Sequence, residues 1–184
     1  MEKVEDKQPE GRAEGKILRI TKHGEKVLRQ RCKTVPFEQI TKLLPEILED
    51  MWATMRAANG VGLAAPQIGL PLRLAVIDVK PGGKSKRWVL INPEIVEKSG
   101  AEESEEGCLS IPGLYAKLRR SSRVKVKALN EHGLPVEITG LGLFARALQH
   151  ETDHLNGKLF VDRLPLLMRW KASRIIRQLK KNWT

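Results

Sequence analysis

Two histidines four residues apart restrict this chain more than any other part of its sequence. They belong to the stretch His150-Glu151-Thr152-Asp153-His154, an HExxH pattern in a segment whose apolar residues recur with helical spacing. Residues i and i+4 share one face of a helix, so both imidazoles can reach one cation and Glu151 is placed to carry a proton. Leu143 and Ala147 precede the histidines on the same stripe, which predicts a buried face.

A catalytic divalent site of this kind takes three protein ligands and keeps a fourth position open. No His, Cys or Glu follows His154, so the third ligand is either Asp162 or a residue upstream. The upstream candidates are His23, His132, Cys32 and Cys108. Cys108 is favoured because Gly107 before it and the Pro112-Gly113 break after it indicate irregular backbone that can approach a ligand closely. A thiolate with two imidazoles suits zinc or ferrous iron, whereas Asp162 is expected to be a solvated or capping acid.

One stretch consists largely of residues with small side chains, with two glycines and two alanines in eight positions: Gly60-Val61-Gly62-Leu63-Ala64-Ala65-Pro66-Gln67. Neither a GxGxxG pattern nor a P-loop Lys-Ser/Thr pair is present, which disfavours a phosphate-binding loop. The stretch predicts a tight turn followed by a backbone edge that is open to an added peptide strand. The amide of Gln67 at its end is able to donate to an anionic oxygen.

Hydrophobic periodicity predicts an α+β fold. Helical spacing within 38–58 indicates a helix that begins at Pro45, a second helix is expected over 143–155, and a third starts at Pro165. Strands are predicted over 17–20, 72–79, 88–92, 94–98, 123–129 and 136–139. We expect small antiparallel or mixed sheets around the central HExxH helix, with a C-terminal helix over about 165–183. Residues 1–15 are expected to be a disordered tail, and 16–184 a single domain.

Composition restricts the location and the partners. The charge balance is 33 Lys and Arg against 22 Asp and Glu, a formal net charge of +11, which suits a phosphate-rich partner. An RNA-binding module is therefore one alternative, although an aromatic content of 4% leaves few residues for base stacking. No apolar window is long enough to span a bilayer, and the acidic first residues are unlike a signal or transit peptide. We expect a cytoplasmic protein that binds neither membranes nor DNA.

Three motifs in order give the chain a resemblance to peptide deformylases, the hydrolases that remove the formyl group from the N-terminal methionine of new proteins. These motifs are 60–67, already described, then Glu106-Gly107-Cys108-Leu109-Ser110, then Gln149 together with the HExxH stretch. The similarity covers residues 16–170. It implies a catalytic domain that hydrolyses N-formylmethionyl nascent peptides and releases formate.

The resemblance also implies a role for individual residues. The metal ligands would be Cys108, His150 and His154. Glu151 would act as general base and then as general acid, and the oxyanion would be held by Gln67 and the backbone N–H of Leu109. Peptide binding would use the backbone of Val61, Gly62 and Gly107. Leu143 and Ala147 would form the floor of a pocket for the methionine side chain. Glu106 would orient one of the metal ligands, with Arg120 as the partner of Glu106.

The implied cofactor is one divalent cation, with Fe²⁺ as the native ion and Zn²⁺, Ni²⁺ or Co²⁺ as further candidates in purified protein. The alternative within enzymes is a metallopeptidase or amidase of another HExxH family that uses Asp162 as third ligand. The last 22 residues hold seven bases and no acid. For a deformylase this predicts that the C-terminal helix binds ribosomal RNA through phosphate contacts.

Overall fold

The computed structural model describes residues 15–80 and 85–183. Apart from Gly15, the expected N-terminal tail lies outside the described residues. The helices are α1 (Phe37–Ile40), α2 (Leu44–Ala57), α3 (Gly142–Leu155) and α4 (Leu166–Leu179). The strands are β1 (Gly62–Ala64), β2 (Leu74–Val79), β3 (Lys86–Ser99), β4 (Glu102–Gly107), β5 (Tyr115–Arg120), β6 (Arg123–Leu129) and β7 (Pro135–Leu141).

The strands form two antiparallel sheets. One has five strands in the order β1-β2-β3-β6-β7, and the other consists of β4 and β5. Every strand pairing among the described residues is antiparallel. The expected α+β class, the small antiparallel sheets and the C-terminal helix are confirmed.

Helix α3 packs against one face of the larger sheet, and α2 packs against the opposite face in a separate apolar cluster. From α3, Ala145 and Leu148 join a cluster with Val124 and Val126 of β6. Helix α2 carries Pro in its first turn, as its sequence predicts, and buries its apolar stripe against β1, β2 and β3. Full burial of each large apolar side chain contributes about 1.5–3 kcal/mol, so these two stripes fix both helices on the sheet.

The predicted strand over 17–20 is wrong. The segment belongs to no ladder, and the N–H of Leu18 instead donates to Thr54 Oγ1 at 2.9 Å. Its polar backbone is therefore satisfied by a side chain of α2. The strands predicted over 88–92 and 94–98 are one continuous strand, β3, with a break in register around Asn92, whose φ is 54°. The Asn92 side chain bonds both backbone groups of Val35, which stabilises this bulge.

The acidic segment before Cys108, where no strand was predicted, is strand β4. Its acids lie opposite the bases of β5: Glu103 pairs with Arg119 in register, and Glu105 with Lys117. Opposite charges on directly paired residues stabilise a β-ladder. The acidic sequence of β4, which has no strand pattern of its own, is therefore stabilised as a strand by the basic strand β5.

Helix α4 contacts the rest of the chain along a narrow stripe. Ala172 and Ile176 are buried in a second apolar cluster with Ile111 and Phe160. Leu166 and other apolar residues of α4 are exposed, as are its bases. Among the described residues, no helix is both long enough and apolar enough to cross a bilayer.

Candidate active site

Helix α3 carries His150, Glu151 and His154 on the side that faces β1 and the end of β4. The Nε2 atoms of the two histidines, one helical turn apart, lie 3.2 Å from each other. The Sγ atom of Cys108, one residue after β4, lies 3.3 Å from His154 Nε2. One ligand atom from each of the three residues lies within 4.8 Å of the others. This sulfur and nitrogen donor set fits a borderline divalent cation such as Zn²⁺ or Fe²⁺.

The other candidate ligands lie elsewhere. Asp162 accepts the N–H of Leu159 at 2.8 Å and pairs with Arg29, so it caps a short 3₁₀ helix. Cys32 is buried in a small apolar cluster, and His132 is exposed on a turn. His23 is half-buried and lies outside the group formed by Cys108, His150 and His154. In the part of the chain that the structure describes, Cys108, His150 and His154 form the one group of three such residues.

A buried ionic network lies behind His150. His150 Nδ1 donates to Glu106 Oε1 at 2.6 Å, which leaves Nε2 directed toward the cluster. Arg120 donates to both oxygens of Glu106 at 2.6 and 2.8 Å, and Arg146 adds a bond of 3.0 Å. Although burial opposes it, the hydrogen bonds from Arg120 and His150 hold the pKa of Glu106 well below its usual range. Glu106 is therefore a charged, fixed acceptor for His150.

The network continues to the opposite face of α3. Asp153 accepts from Arg120 at 2.9 Å and is also bound by Arg163.

Burial lowers the pKa of His154, so this imidazole is neutral, the form that binds a cation. Burial opposes charge on His150, but hydrogen bonds with Cys108 and Glu106 raise its pKa.

Glu151 is buried beside the cluster, with 4% of its surface exposed. Burial raises the pKa of this carboxyl to about 7, which suits a group that both takes and gives a proton near neutral pH. Its Oε2 atom has no hydrogen-bond partner among the described residues. Gly62 of β1 lies directly under the carboxylate, because a Cβ atom built there would be 2.4 Å from Glu151 Oε1.

Two hydrogen-bond donors stand near Cys108. Gln67 is oriented by the N–H of Ala64, which donates to its Oε1 at 2.8 Å. Its Nε2 is thereby directed toward Cys108 Sγ at 3.7 Å and Ser110 Oγ at 3.3 Å. The backbone N–H of Leu109 has no acceptor among the described residues. The Leu109 N–H is therefore available to an oxygen placed beside the cluster, and Gln67 Nε2 can reach the same oxygen by exchanging one of its two acceptors.

These groups open into a cavity of about 670 Å³. Each of the five predicted substrate-binding residues lines it: Val61, Gly62, Gly107, Leu143 and Ala147. Ala147 is buried in the wall, whereas Leu143 is 59% exposed and lies at the rim instead of the floor. Strands β1 and β4 each have one edge without a partner among the described strands, and residues of both line the cavity. An extended peptide can pair with such edges.

Comparison with known proteins decides the family. The family model for polypeptide deformylases matches residues 17–170. The chain belongs to this family. A peptide deformylase of Elusimicrobium minutum is 45% identical over 91% of this chain and 99% of its own length. The crystal structure of a peptide deformylase from Legionella pneumophila superposes with a TM-score of 0.82 at 49% identity, over 90% of this chain and 96% of that one.

A third relative was solved with a peptide bound. The class I type b peptide deformylase from Acinetobacter baumannii with Met-Ala-Ser has a TM-score of 0.76 and 37% identity, over 82% of this chain and 99% of that one. Deformylases are metalloenzymes that remove the N-formyl group from nascent peptides. This deformylase is therefore a hydrolase of protein biosynthesis, and its substrates are formylated nascent peptides.

Sequence reasoning missed two groups of the deformylase site. Arg146 is buried against Glu106 and lies four residues before His150 on the same face of α3. A basic residue on an apolar helical stripe is the signal that could have indicated a buried acidic partner. Lys22 lines the cavity and donates to the carbonyl of Leu109 at 3.4 Å. No pattern in the sequence connects Lys22 to residues almost ninety positions later.

Proposed function

We propose that Cys108, His150 and His154 hold one divalent cation and that Glu151 carries the protons of formyl hydrolysis. The observation that supports this assignment is the cluster itself, with three ligand atoms within 4.8 Å of one another. Glu151 lies next to it in a buried position and has a pKa of about 7. The residues fit the family's requirement for a metal.

When bound, the cation supplies Lewis acidity, which makes water a competent nucleophile near neutral pH and polarises the formyl oxygen. Glu151 takes a proton from the attacking water and then delivers it to the departing amine. Gln67 and the backbone N–H of Leu109 donate hydrogen bonds to the formyl oxygen as its negative charge develops. Loss of one such donor is expected to cost about 3 kcal/mol of transition-state stabilisation.

The formyl-methionyl peptide is proposed to lie between β1 and β4. The backbone of Val61, Gly62 and Gly107 pairs with it, and its first side chain enters the slot beside Ala147 with Leu143 at the rim. The unpaired edges of both strands support this placement. It is also supported by the bound Met-Ala-Ser of the Acinetobacter baumannii relative. Formate is the second product.

We propose Fe²⁺ as the native ion. The Cys108 thiolate and two imidazoles accept Zn²⁺, Ni²⁺ or Co²⁺ as well, so the metal that is available decides occupancy. The test is an assay on formyl-methionyl peptides with anaerobically purified protein, followed by metal analysis of the same sample. Cys108→Ala should lose both metal and activity, whereas Cys32→Ala, which alters the other thiol, should keep both. Retention of metal by Cys108→Ala would contradict the assignment.

A further proposal concerns the location of the enzyme. We propose that 16–184 act as one catalytic domain in the cytoplasm and that α4 contacts ribosomal RNA. The proposed contact with RNA is supported by the positive charge of α4. Lys171, Arg174 and Arg177 are exposed on this helix, and no acid follows Asp162 in the sequence. Phosphate contacts made by such bases weaken as salt concentration rises. Because α4 buries Ala172 and Ile176 in the apolar cluster, the test is charge reversal on the intact helix, measured by co-sedimentation with ribosomes.

A further inference from the structure

One wall of the catalytic cavity is formed by the chain between β4 and β5. Residues 111–114, here called the wall segment, line this cavity and belong to no strand. Two backbone hydrogen bonds hold the segment locally. The N–H of Ile111 donates to the carbonyl of Cys108 at 2.8 Å, and the N–H of Leu114 donates to that of Ile111 at 3.3 Å. The carbonyl of Pro112 accepts no backbone N–H among the described residues. The middle of the wall segment therefore depends on contacts with other parts of the chain.

The end of α4 and the residues after it supply these contacts. Trp183 Nε1 donates to the carbonyl oxygen of Pro112 at 3.3 Å. Leu179, the last residue of α4, lies against Gly113, where an added Cβ atom would be 3.3 Å from Leu179 Cδ2. Gly113 has a φ of 83°, a conformation that favours glycine, and its lack of a side chain permits this close approach. Leu179 and Trp183 also pack on the apolar cluster that contains Leu114.

These contacts reach the wall segment from the side away from the substrate, because neither Leu179 nor Trp183 lines the catalytic cavity. The wall segment includes none of the proposed metal ligands, oxyanion donors or proton carriers. Those groups are held by α3, β4 and the buried network around Glu106. A change in the position of the wall segment should therefore alter how the peptide fits and leave the chemical step almost unchanged.

We propose that Trp183 and Leu179 are positioning residues for peptide binding, because they hold the wall segment in the arrangement that a formyl-methionyl peptide requires. This inference rests on the proposed placement of the peptide in the cavity between β1 and β4. A wall that is fixed before the peptide arrives removes the cost of ordering it on binding. Without the bond from Trp183, that cost is subtracted from the affinity for the peptide.

The test compares Trp183→Ala and Trp183→Phe with the parent, all of them metal-loaded. Trp183→Phe keeps an aromatic ring in the apolar cluster but removes the N–H donor. Trp170→Ala is the control, because Trp170 is an exposed tryptophan of α4 outside this cluster. The measurements are steady-state kinetics on formyl-Met-Ala-Ser and calorimetric binding of the product peptide Met-Ala-Ser. The second is needed because KM equals a dissociation constant only when chemistry is slow.

In Trp183→Ala, both KM and the Kd of Met-Ala-Ser should rise about fivefold, and in Trp183→Phe about threefold, which are changes of the size that loss of one hydrogen bond produces. We expect kcat within twofold of the parent in both variants, and all three constants within twofold in Trp170→Ala. A rise in Trp183→Ala alone would still support the positioning role and assign it to packing of the ring. An equal rise in Trp170→Ala, a fall in kcat with unchanged KM, or parent-like constants in both Trp183 variants would overturn the proposal.

Metal content and Tm of each variant show whether it is folded and loaded. If Trp183→Ala has a lower Tm, Trp183→Phe carries the test, because its ring still fills the cluster. Cleavage of formyl-Met-Ala-Ser by the parent tests the proposed function separately. An active parent, together with Trp183 variants that bind Met-Ala-Ser equally well, would remove the positioning role and leave the proposed function in place.

Discussion

Glu151 owes its position to a glycine on a different element. The carboxylate can lie beside the metal-ligand cluster only because residue 62 has no side chain, since a Cβ atom there would be 2.4 Å from Glu151 Oε1. Burial gives the carboxyl a pKa of about 7. At the residue scale, the proposed chemistry thus depends on the carboxylate and on the space that Gly62 leaves for it.

Replacing Glu151 by Gln should leave metal binding intact and reduce kcat by about 10²–10⁴-fold. The amide keeps the shape of the side chain but cannot take up and release a proton near neutral pH, while all three proposed ligands remain. Metal content and steady-state kinetics on formyl-Met-Ala-Ser check the prediction. Glu105→Gln alters an exposed carboxylate of the same cavity and should be near the parent. Activity of Glu151→Gln within tenfold of the parent would show that another group carries the proton.

Gly62→Ala should reduce kcat by about 100-fold, because the new methyl group displaces the Glu151 carboxylate by about an ångström. Since the displaced atoms are the end of a side chain, the fold and the metal content should be unaffected. Turnover, metal content and Tm of the same preparation test this. Parent-like kcat in a folded variant would mean that Glu151 need not lie against β1.

At the scale of elements, Arg120 connects β4, β5 and α3. It lies on β5, binds Glu106 on β4, and binds Asp153 on α3. Both carboxylates are buried, and this guanidinium is the partner that they share, beside Arg146 at Glu106 and Arg163 at Asp153. The position of His150 follows from the same bonds, because Glu106 is its acceptor.

Arg120→Met should lower the free energy of unfolding by about 3–5 kcal/mol, because it leaves two buried carboxylates without their shared partner. Urea unfolding of the metal-loaded protein provides the measurement. The matched control is Arg119→Met, one residue away and exposed, which should change stability by less than about 0.5 kcal/mol. If the two variants were equally stable, the network would contribute nothing net to folding.

For α4, replacing Lys171, Arg174, Arg177 and Lys181 by Glu should reduce co-sedimentation with ribosomes and flatten its salt dependence, because phosphate contacts are lost. Turnover of short formyl peptides should be unchanged. The control makes the same charge change at exposed lysines elsewhere, Lys33, Lys42, Lys117 and Lys127. Equal loss in both variants would attribute binding to net charge and not to the helix.

Sequence patterns predicted the elements whose burial is periodic. Helices α2 and α3 have apolar stripes, Pro45 marks the start of α2, and β6 alternates between buried and exposed residues. Strand β4 was missed because its acids are compensated by bases on other elements, β5 and α3. Arg146 and Lys22 were missed for the same reason, since neither has a local partner. The pairing of Glu106 with Arg120, by contrast, was implied by the resemblance to a known family and is present in the structure.

At the scale of the whole molecule, the three proposed metal ligands connect the two sheets. Cys108 follows β4 of the small sheet, while His150 and His154 lie on α3, which packs on the large sheet. The folded state alone brings these ligands together, so a bound cation should stabilise it.

Removal of the metal with a chelator should therefore lower Tm, and adding metal back should restore it. The stabilisation amounts to about 4 kcal/mol when the free ion stands at a thousand times its Kd. Calorimetric scans with and without chelator give the difference. Cys108→Ala, which is expected to bind no metal, should show the same Tm in both scans. A parent Tm that does not respond to chelator would mean that the ion adds no stability.

The unpaired edges of β1 and β4 have a consequence for the range of substrates. Main-chain N–H and C=O groups are the same in every polypeptide. A cleft that binds a peptide through these groups is therefore not selective for most of its side chains. The proposed pairing with these edges therefore predicts an enzyme that discriminates at the first residue and its formyl group and accepts formylated chains whatever sequence follows.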